Sequence, residues 1–462
     1  MKFTNHGYVV KKTDLNPKQI HKLVKDLTVQ PVSEGNFSFA QNEFFKIYRE
    51  SEKTFRIPRH YGQQHFGIPR LKISDGVTID IPFTGTLKEE TKQPQACAAT
   101  IKALESIGGG VLNLSAGFGK TTCALYVVSQ MKVKTLIVVH KEFLMNQWRE
   151  RIQQFLPSAK IGLIRQDKID VAGKDIVLSM LQSLAMKEYD PIIFEGFGLT
   201  IIDETHHICS RVFSQALLNN STKYMLGLSA TPERKDGLTK VLYWFLGEIC
   251  FTAMRENQTN VNVEVIPFMC DEYLIDPPTN VAGNVSTPIV ISNLCEIETR
   301  NEVIMNKIKE KLPEGRKIII LSDRRKHCEY LFERCKAELS EYSSGLYMGG
   351  MKQDQLTESE KCDAIFATFS QAHEGLDIPA LDTCILASPK TDVNQATGRI
   401  LRETVGKKND PCIIDIWDRY SVLNGQYKKR VAFYKKSGFH VPQTKKANKK
   451  KDVEIPYLFV ED

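Results

Sequence analysis

Between residues 89 and 253, short apolar runs alternate with stretches of helical length; the runs are GVLNL, TLIVV, DIVLS, LTIID and YMLGLSA. Runs with no polar alternation predict strands buried on both faces, and their spacing predicts βα units on a parallel sheet. A second series, RKIIILS, SGLYMGG, AIFATF, TCILASP and PCIIDIW, runs from about 301 to 418. The chain therefore reads as an α/β protein with two sheets of similar plan. Ahead of them, FSFAQNEFFKIYRES, EKT and FRIPRHYG alternate in places, predicting a β-hairpin in a small α+β domain over 1–88. Between the two series, NVNVEVIPF predicts a strand inside a connector over 254–300, followed by the turn-rich DPPTNVAGNVSTP. At the far end Leu423, Tyr427, Val431 and Tyr434 keep helical spacing. They predict a closing helix on the second core, with Lys428, Lys429, Arg430, Lys435 and Lys436 toward solvent. The organisation expected is an accessory domain over 1–88, α/β domains over 89–253 and 301–437 joined by 254–300, and a basic tail over 438–462.

Composition adds little to that plan but closes off several classes. At 462 residues, 42% hydrophobic and 25% charged, the chain is ordinary for a globular protein of roughly three domains. No apolar run approaches the roughly 18 residues that span a bilayer, and MKFTNHGYVVKKTDLN lacks the apolar core of a signal peptide. A soluble intracellular protein with no membrane partner is expected. None of the eleven cysteines forms a CxxC pair. Cys328 and Cys335 read as two positions on one helix, and no cysteine-held metal is expected. The net charge of +7 is concentrated: from Tyr420 onward ten Lys/Arg face four acidic residues. Two readings of that surplus stand, a region that meets phosphates and a solubilising tail.

The strand GVLNL leads into Ser115, Ala116, Gly117, Phe118, Gly119, Lys120, Thr121 and Thr122, with a helical pattern after them. Glycines at a strand-to-helix turn let backbone N–H groups surround a phosphate. Lys120 would reach the β/γ oxygens of ATP, and the Thr121 hydroxyl would ligate Mg²⁺. Leu114 stands where this motif usually has its first glycine. A second strand, LTIID, ends in Asp203-Glu204-Thr205-His206-His207, 83 residues after Lys120. Adjacent acids at a strand end suit one carboxylate for Mg²⁺, Asp203, and one general base for water, Glu204. Glu204 with the two histidines lacks the spacing of a zinc site; His206 suits coupling to neighbouring loops, and His207 a structural place.

The order LSAGFGKTT, DETHH, GLSATPERKDGL, EGLDIP and QATGRILRE resembles the superfamily 2 nucleic-acid helicases and translocases. It is similar to their XPB/UvsW branch, and to helicases of large nucleocytoplasmic DNA viruses whose poxviral relatives act in transcript release. The likeness spans about residues 90–437 and implies two tandem RecA-like domains. It also implies roles, position by position. Gln95 would lie near adenine. His140, Lys141 and Gln147, then Gln182 with Ser183, would touch the nucleic-acid backbone. Ser229 and Thr231 would couple hydrolysis to domain motion, bonding the DETHH acids. In the second half Arg324 with His327, Thr368, Glu374 and Gly375 would grip a strand, and Asp377 would reach the ribose. Gln395, Arg399 and Arg402, spaced i, i+4 and i+7, would share a helical face and bring an arginine to the γ-phosphate. The XPB-like RED element survives only as Arg234-Lys235-Asp236.

The resemblance implies an ATP hydrolase using ATP and Mg²⁺ on single-stranded, duplex or forked DNA; it leaves protein partners open, with transcription or repair machinery as the candidates. RNA remains an alternative substrate, a non-catalytic scaffold is a second alternative, and a restriction-type translocase subunit a third. Lys120, Asp203, Glu204, Gln395 and Arg402 argue against the scaffold, and no nuclease carboxylate cluster supports the third. Arg49, Arg56, Arg59, His60 and Tyr61 interleave basic and aromatic groups, suiting either a DNA-engaging hairpin or an edge guarded by charge. If the source is viral, host cytoplasm, nucleus or virion would all fit.

Overall fold

A computed structural model describes the chain apart from residues 32–42, 72, 116, 206–208, 231–235, 254–259, 281–282, 375, 377, 402–406 and 442–462. It divides into two units, Met1–Arg255 and Glu256–Asp462.

Among its described residues, the first unit opens with seven short strands, β1 (Lys2–Thr4), β2 (Gly7–Lys11), β3 (Thr28–Val29), β4 (Phe45–Lys46), β5 (Arg49–Glu50), β6 (Thr54–Ile57) and β7 (Arg70–Leu71). Five of them form a sheet in the order β5-β6-β2-β1-β7, and β3 pairs with β4. The hairpin expected near FRIPRHYG is β5–β6. Eight further strands make the main sheet: β8 (Gly109–Leu114), β9 (Thr135–Val139), β10 (Ile161–Arg165), β11 (Lys168–Asp170), β12 (Ile176–Met180), β13 (Leu199–Ile202), β14 (Tyr224–Ser229) and β15 (Ile249–Ala253). Their order is β11-β10-β12-β9-β13-β14-β8-β15, parallel except for the antiparallel β10–β11 pair. Every residue of β8, β9 and β13 is buried, as a sheet covered on both faces requires. Leaving β8, the chain passes over β14 and β13 before rejoining the sheet at β9. In an open parallel sheet such a crossing places the ligand crevice at the carboxyl ends of the strands.

The accessory region is not a separate body. Phe3, Tyr8, Val10 and Phe55 share one apolar core with Val111, Val138, Leu217, Leu218, Leu242 and Phe245 of the main-sheet layer. The basic-aromatic set sorts accordingly. Arg59 is buried, donating to the carbonyls of Gly108 (3.2 Å) and Lys223 (2.6 Å) and lying over the Phe3 ring. Tyr61 is buried on Asp26 (3.0 Å) and edge-on to Trp244, and burial pushes His60 down to about 3. Arg49 bonds Gln215 of the helix Arg211–Asn219 (3.0 Å). Of the five, Arg59 and Tyr61 are therefore interior, joining the small sheet to the large one.

The second unit carries β16 (Asn262–Phe268), β17 (Ile318–Ser322), β18 (Ser344–Tyr347), β19 (Ala364–Thr368), β20 (Thr383–Leu386) and β21 (Cys412–Asp418) in one parallel sheet, ordered β16-β21-β20-β17-β19-β18. The strand expected inside the connector is thus an edge strand of this sheet, with the helix Thr287–Cys295 after it. The two parallel sheets are tandem RecA-like domains. The closing helix is Leu423–Lys436, and on it Arg430 departs from expectation. Its guanidinium is 2% exposed and pairs with Asp415 (2.8 Å), whose other oxygen accepts the Tyr434 hydroxyl (2.9 Å). A second buried pair, Arg300–Asp418 (2.7 Å), is joined by Tyr273 (2.7 Å). Such cations sit inside because a fixed carboxylate and carbonyls meet most of their N–H groups.

Candidate nucleotide site and nucleic-acid motifs

β8 ends at Leu114, fully buried and in register with Ala253 of β15. The residue in the place of the usual glycine therefore belongs to the sheet rather than the loop. Ser115 N–H donates to the Ala253 carbonyl (3.1 Å), and Phe118 N–H to Ser115 (3.1 Å). Gly117 and Gly119 have φ of +85° and +81°, a region that disfavours side chains, and Lys120 begins the helix Lys120–Met131. The loop is held from one side by Gln93. Its side-chain oxygen accepts Lys88 N–H (2.9 Å) and its amide donates to the Phe118 carbonyl (2.9 Å). A Cβ on Gly119 would stand 2.5 Å from that amide nitrogen. Gln95, assigned to adenine by resemblance, is exposed and bonds Glu89 (3.2 Å). On the helix Gln93–Ile107, Gln93 faces inward and Gln95, two residues on, faces out, so Gln93 is the glutamine that holds the loop.

Two strands away, β13 delivers Asp203 and Glu204. Asp203 N–H donates to the Val138 carbonyl (3.0 Å), fixing the strand end. Its Oδ1 accepts the Glu204 N–H (3.0 Å) and its Oδ2 the Trp148 indole N–H (2.9 Å). Glu204 has φ +47°, uncommon for a side-chain-bearing residue and the kind of strain that gathers at functional sites. Lys120 Nζ lies 3.3 Å from Glu204 Oε1, so the loop and the acid pair meet directly. Burial, then the neighbouring Glu204 charge, hold the Asp203 carboxyl above its usual range, with Lys120 and Trp148 opposing. A divalent cation would draw such a group back to its ionised form. Oxygen donors of this type, a carboxylate and the Thr121 hydroxyl beside phosphate, are what Mg²⁺ takes. Between the two strands β14 places the buried Ser229 at the same edge, in register with Asn113 of β8. Thr122 follows on the loop helix.

The backbone-contact motifs of this unit are joined to one another. His140 is buried after β9, and its carbonyl accepts the Gln182 side-chain amide (2.7 Å). Lys141 caps the helix Glu142–Phe155, which also carries the half-buried Gln147. In the second unit Thr368 ends β19 in register with Ser322, its hydroxyl 3.3 Å from that of Ser370. Arg324 departs from its expected role. Its guanidinium donates to Ser292 Oγ (2.8 Å) and to the carbonyls of Pro288 (2.6 Å) and Asp323 (3.2 Å), tying down the helix Thr287–Cys295. His327 is interior as well, bonded to Ser322 (3.0 Å) and Asn301 (2.9 Å), and burial, then the Arg300 charge, push it down to about 3. Gln395 lies in a single helical turn, Asn394–Thr397, after which i→i+3 turns carry the backbone to Ile400. A regular helical face from 395 to 402 therefore does not extend through the described residues. Arg399 Nε donates to the Ala372 carbonyl (2.9 Å). Glu374 closes the helix Phe369–Glu374. Ala116, His206, His207, Thr231, Arg234, Lys235, Gly375, Asp377 and Arg402 lie outside the described residues.

Two contributors escaped the reading of the sequence, Gln93 and Trp148. Each stands beside a residue that the motif singled out, and only burial distinguishes it.

Residues 86–234 match the family described as type III restriction enzyme, res subunit, and residues 299–404 match the helicase conserved C-terminal domain. A protein of Acanthamoeba polyphaga mimivirus named as an ATP-dependent RNA helicase, L396, is 35% identical over 450 residues, covering 95% of this chain and 86% of its own length. An African swine fever virus protein, QP509L, also named as an ATP-dependent RNA helicase, is 26% identical over 74% of this chain and 71% of that protein. The solved structure of T4 UvsW covers 92% of this chain and 95% of that one at 16% identity and a TM-score of 0.35, a looser likeness. On the strength of the mimivirus relative, the chain belongs to the superfamily 2 helicases. It is an ATP-dependent helicase of a kind found in large DNA viruses. Among the described residues, no helix is long and apolar enough to cross a membrane.

Proposed function

We propose that this helicase couples ATP hydrolysis to movement along DNA, in duplex or forked form, by gripping phosphates. The observation that carries the hydrolytic part is the direct meeting of Lys120 with Glu204, beside an Asp203 whose two oxygens are already oriented. Thr121 and Asp203 would hold Mg²⁺, which when bound would neutralise charge on the phosphate chain. Lys120 moves from Glu204 to the incoming phosphate, and Glu204 is then released to take a proton from the attacking water. The loop amides around Gly117 and Gly119 would face the phosphate chain, with Gln93 holding the loop through the Phe118 carbonyl. By the family resemblance, Ser229 and Thr231 would report the presence of the γ-phosphate. Nucleic acid is met at His140–Lys141, Gln147, Gln182 and Thr368, contacts to backbone rather than base edges, so binding depends on salt more than on sequence.

RNA is the second reading, favoured by the names of the mimivirus and African swine fever virus relatives. The deciding experiment compares steady-state hydrolysis with single-stranded DNA, duplex DNA, forked DNA and RNA of equal length. Greater stimulation by duplex or fork supports the proposal, and stimulation by RNA alone moves the substrate to RNA. Absence of hydrolysis with every nucleic acid rejects the reading altogether.

A further inference from the structure

Trp148 is 2% exposed and among the largest fully buried side chains, yet its one polar atom does not bond within its own layer. The indole N–H, a donor only, goes to Asp203 Oδ2 at 2.9 Å. Trp148 lies on the helix that Lys141 caps. Seven residues is close to two full turns, so Trp148 stands below the cap on the same side of the helix, about 10 Å along its axis. At the cap, the His140 carbonyl accepts the Gln182 amide at 2.7 Å, which joins the next backbone-contact motif to the same turn. One rigid helix therefore has the nucleic-acid motifs at one end and a hydrogen bond to the proposed metal carboxylate further down.

Resting on the reading above, we propose that Trp148 is a positioning residue through which nucleic acid at the 140–141 turn sets the orientation of the Asp203 carboxylate. Asp203 Oδ1 is held by the Glu204 N–H and Oδ2 by the Trp148 indole, so a displaced indole turns the whole carboxylate about its bond to Glu204. A shift of the helix that carried the indole away would leave a buried donor without its acceptor, so the carboxylate follows the helix. Nucleic-acid stimulation of hydrolysis is then a change in Asp203 geometry, relayed without movement of the phosphate loop itself.

The test uses the full chain labelled with 5-fluorotryptophan, whose three tryptophans give three ¹⁹F resonances. The Trp148 signal is assigned by its loss in Trp148→Phe, or by elimination with Trp244→Phe and Trp417→Phe should that variant not fold. Adding oligothymidylate, then the matching duplex, without nucleotide is expected to shift the Trp148 resonance. Adding Mg²⁺ with a non-hydrolysable ATP analogue is expected to shift it again. Trp148→Phe keeps an aromatic ring at the site but removes the N–H together with part of the buried volume. It is expected to need about 10-fold more Mg²⁺ for half-maximal hydrolysis, the usual scale for losing a partner of a metal ligand, and to lose most nucleic-acid stimulation while still binding the duplex. A Trp148 resonance unmoved by an oligonucleotide that the protein binds overturns the relay, as does a variant with unchanged Mg²⁺ dependence and stimulation. In both cases the wild type still hydrolyses ATP, whereas a wild type inert with every nucleic acid fails the proposed function instead.

Discussion

Replacing Gly119 by alanine tests the phosphate loop at its tightest point. The residue has φ +81°, where a Cβ costs about 1–2 kcal/mol. The added carbon would also stand 2.5 Å from the Gln93 amide nitrogen. Gln93 is 4% exposed and pinned by bonds of 2.9 Å to Lys88 N–H and to the Phe118 carbonyl, so it has no free direction in which to yield. Moving it forfeits one or both bonds, each worth about 0.5–1.5 kcal/mol. Together the strain is about 1.5–5 kcal/mol, which the loop relieves by leaving its cradle. Since about 1.4 kcal/mol is a factor of ten, nucleotide affinity should fall roughly 10- to several thousand-fold. Titration with a fluorescent ATP analogue measures the loss. The same titration on Gln93→Ala and on the double variant completes a cycle, and Gln93→Ala should recover part of the loss in the Gly119→Ala background, a coupling of about 1 kcal/mol or more. Affinity within threefold of wild type for Gly119→Ala, or strictly additive effects, would refute the reasoning.

Glu204→Gln should bind ATP normally but lower turnover by about 10²-fold or more, measured by single-turnover hydrolysis; a smaller loss removes Glu204 as general base. Deleting residues 442–462 removes Lys445, Lys446, Lys449, Lys450 and Lys451. If they meet phosphates, the slope of log affinity against log salt should flatten by up to about 4, and an unaltered slope would make the tail a bystander. Arg430→Met should destabilise the second unit by about 3 kcal/mol in denaturant unfolding, since it strands Asp415 with only the Tyr434 hydroxyl; pairing it with Asp415→Leu should restore much of that. His327, held near 3 in the fold against an ordinary value of 6.5, takes its proton in the unfolded chain first. Stability is therefore full above pH 6.5 and lost as pH falls toward 3, by about 2 kcal/mol at pH 5. His327→Asn should flatten that dependence in urea titrations at pH 5 and 7.

Runs such as TLIVV and RKIIILS announced their strands because a parallel sheet covered on both sides tolerates little but apolar residues. β10, β11 and β15 went unread because most of their residues are exposed or only partly buried, and β11 and β15 are the two edges of the sheet. The nucleotide loop and the acid pair were legible because phosphate chemistry fixes both residue type and spacing. Charge was the misleading signal. Arg430, Arg59 and Arg324 read as solvent-facing or ligand-facing, and each instead satisfies carbonyls or a carboxylate brought near by the fold. Gln93 and Trp148 share that cause from the opposite side: nothing in their local sequence marks them, because the partners that bring them to the site, Phe118 and Asp203, lie 25 and 55 residues away.

The match to the restriction-subunit family begins at residue 86, yet the apolar layer behind the first lobe runs on into the opening strands. A fragment cloned from that boundary would lift Phe3, Tyr8 and Phe55 off Leu217, Leu218 and Leu242 and leave a greasy face to the solvent. Recombinant work on an isolated ATPase lobe should therefore begin at the first methionine, and precipitation of shorter versions would reflect a severed core rather than a defective enzyme.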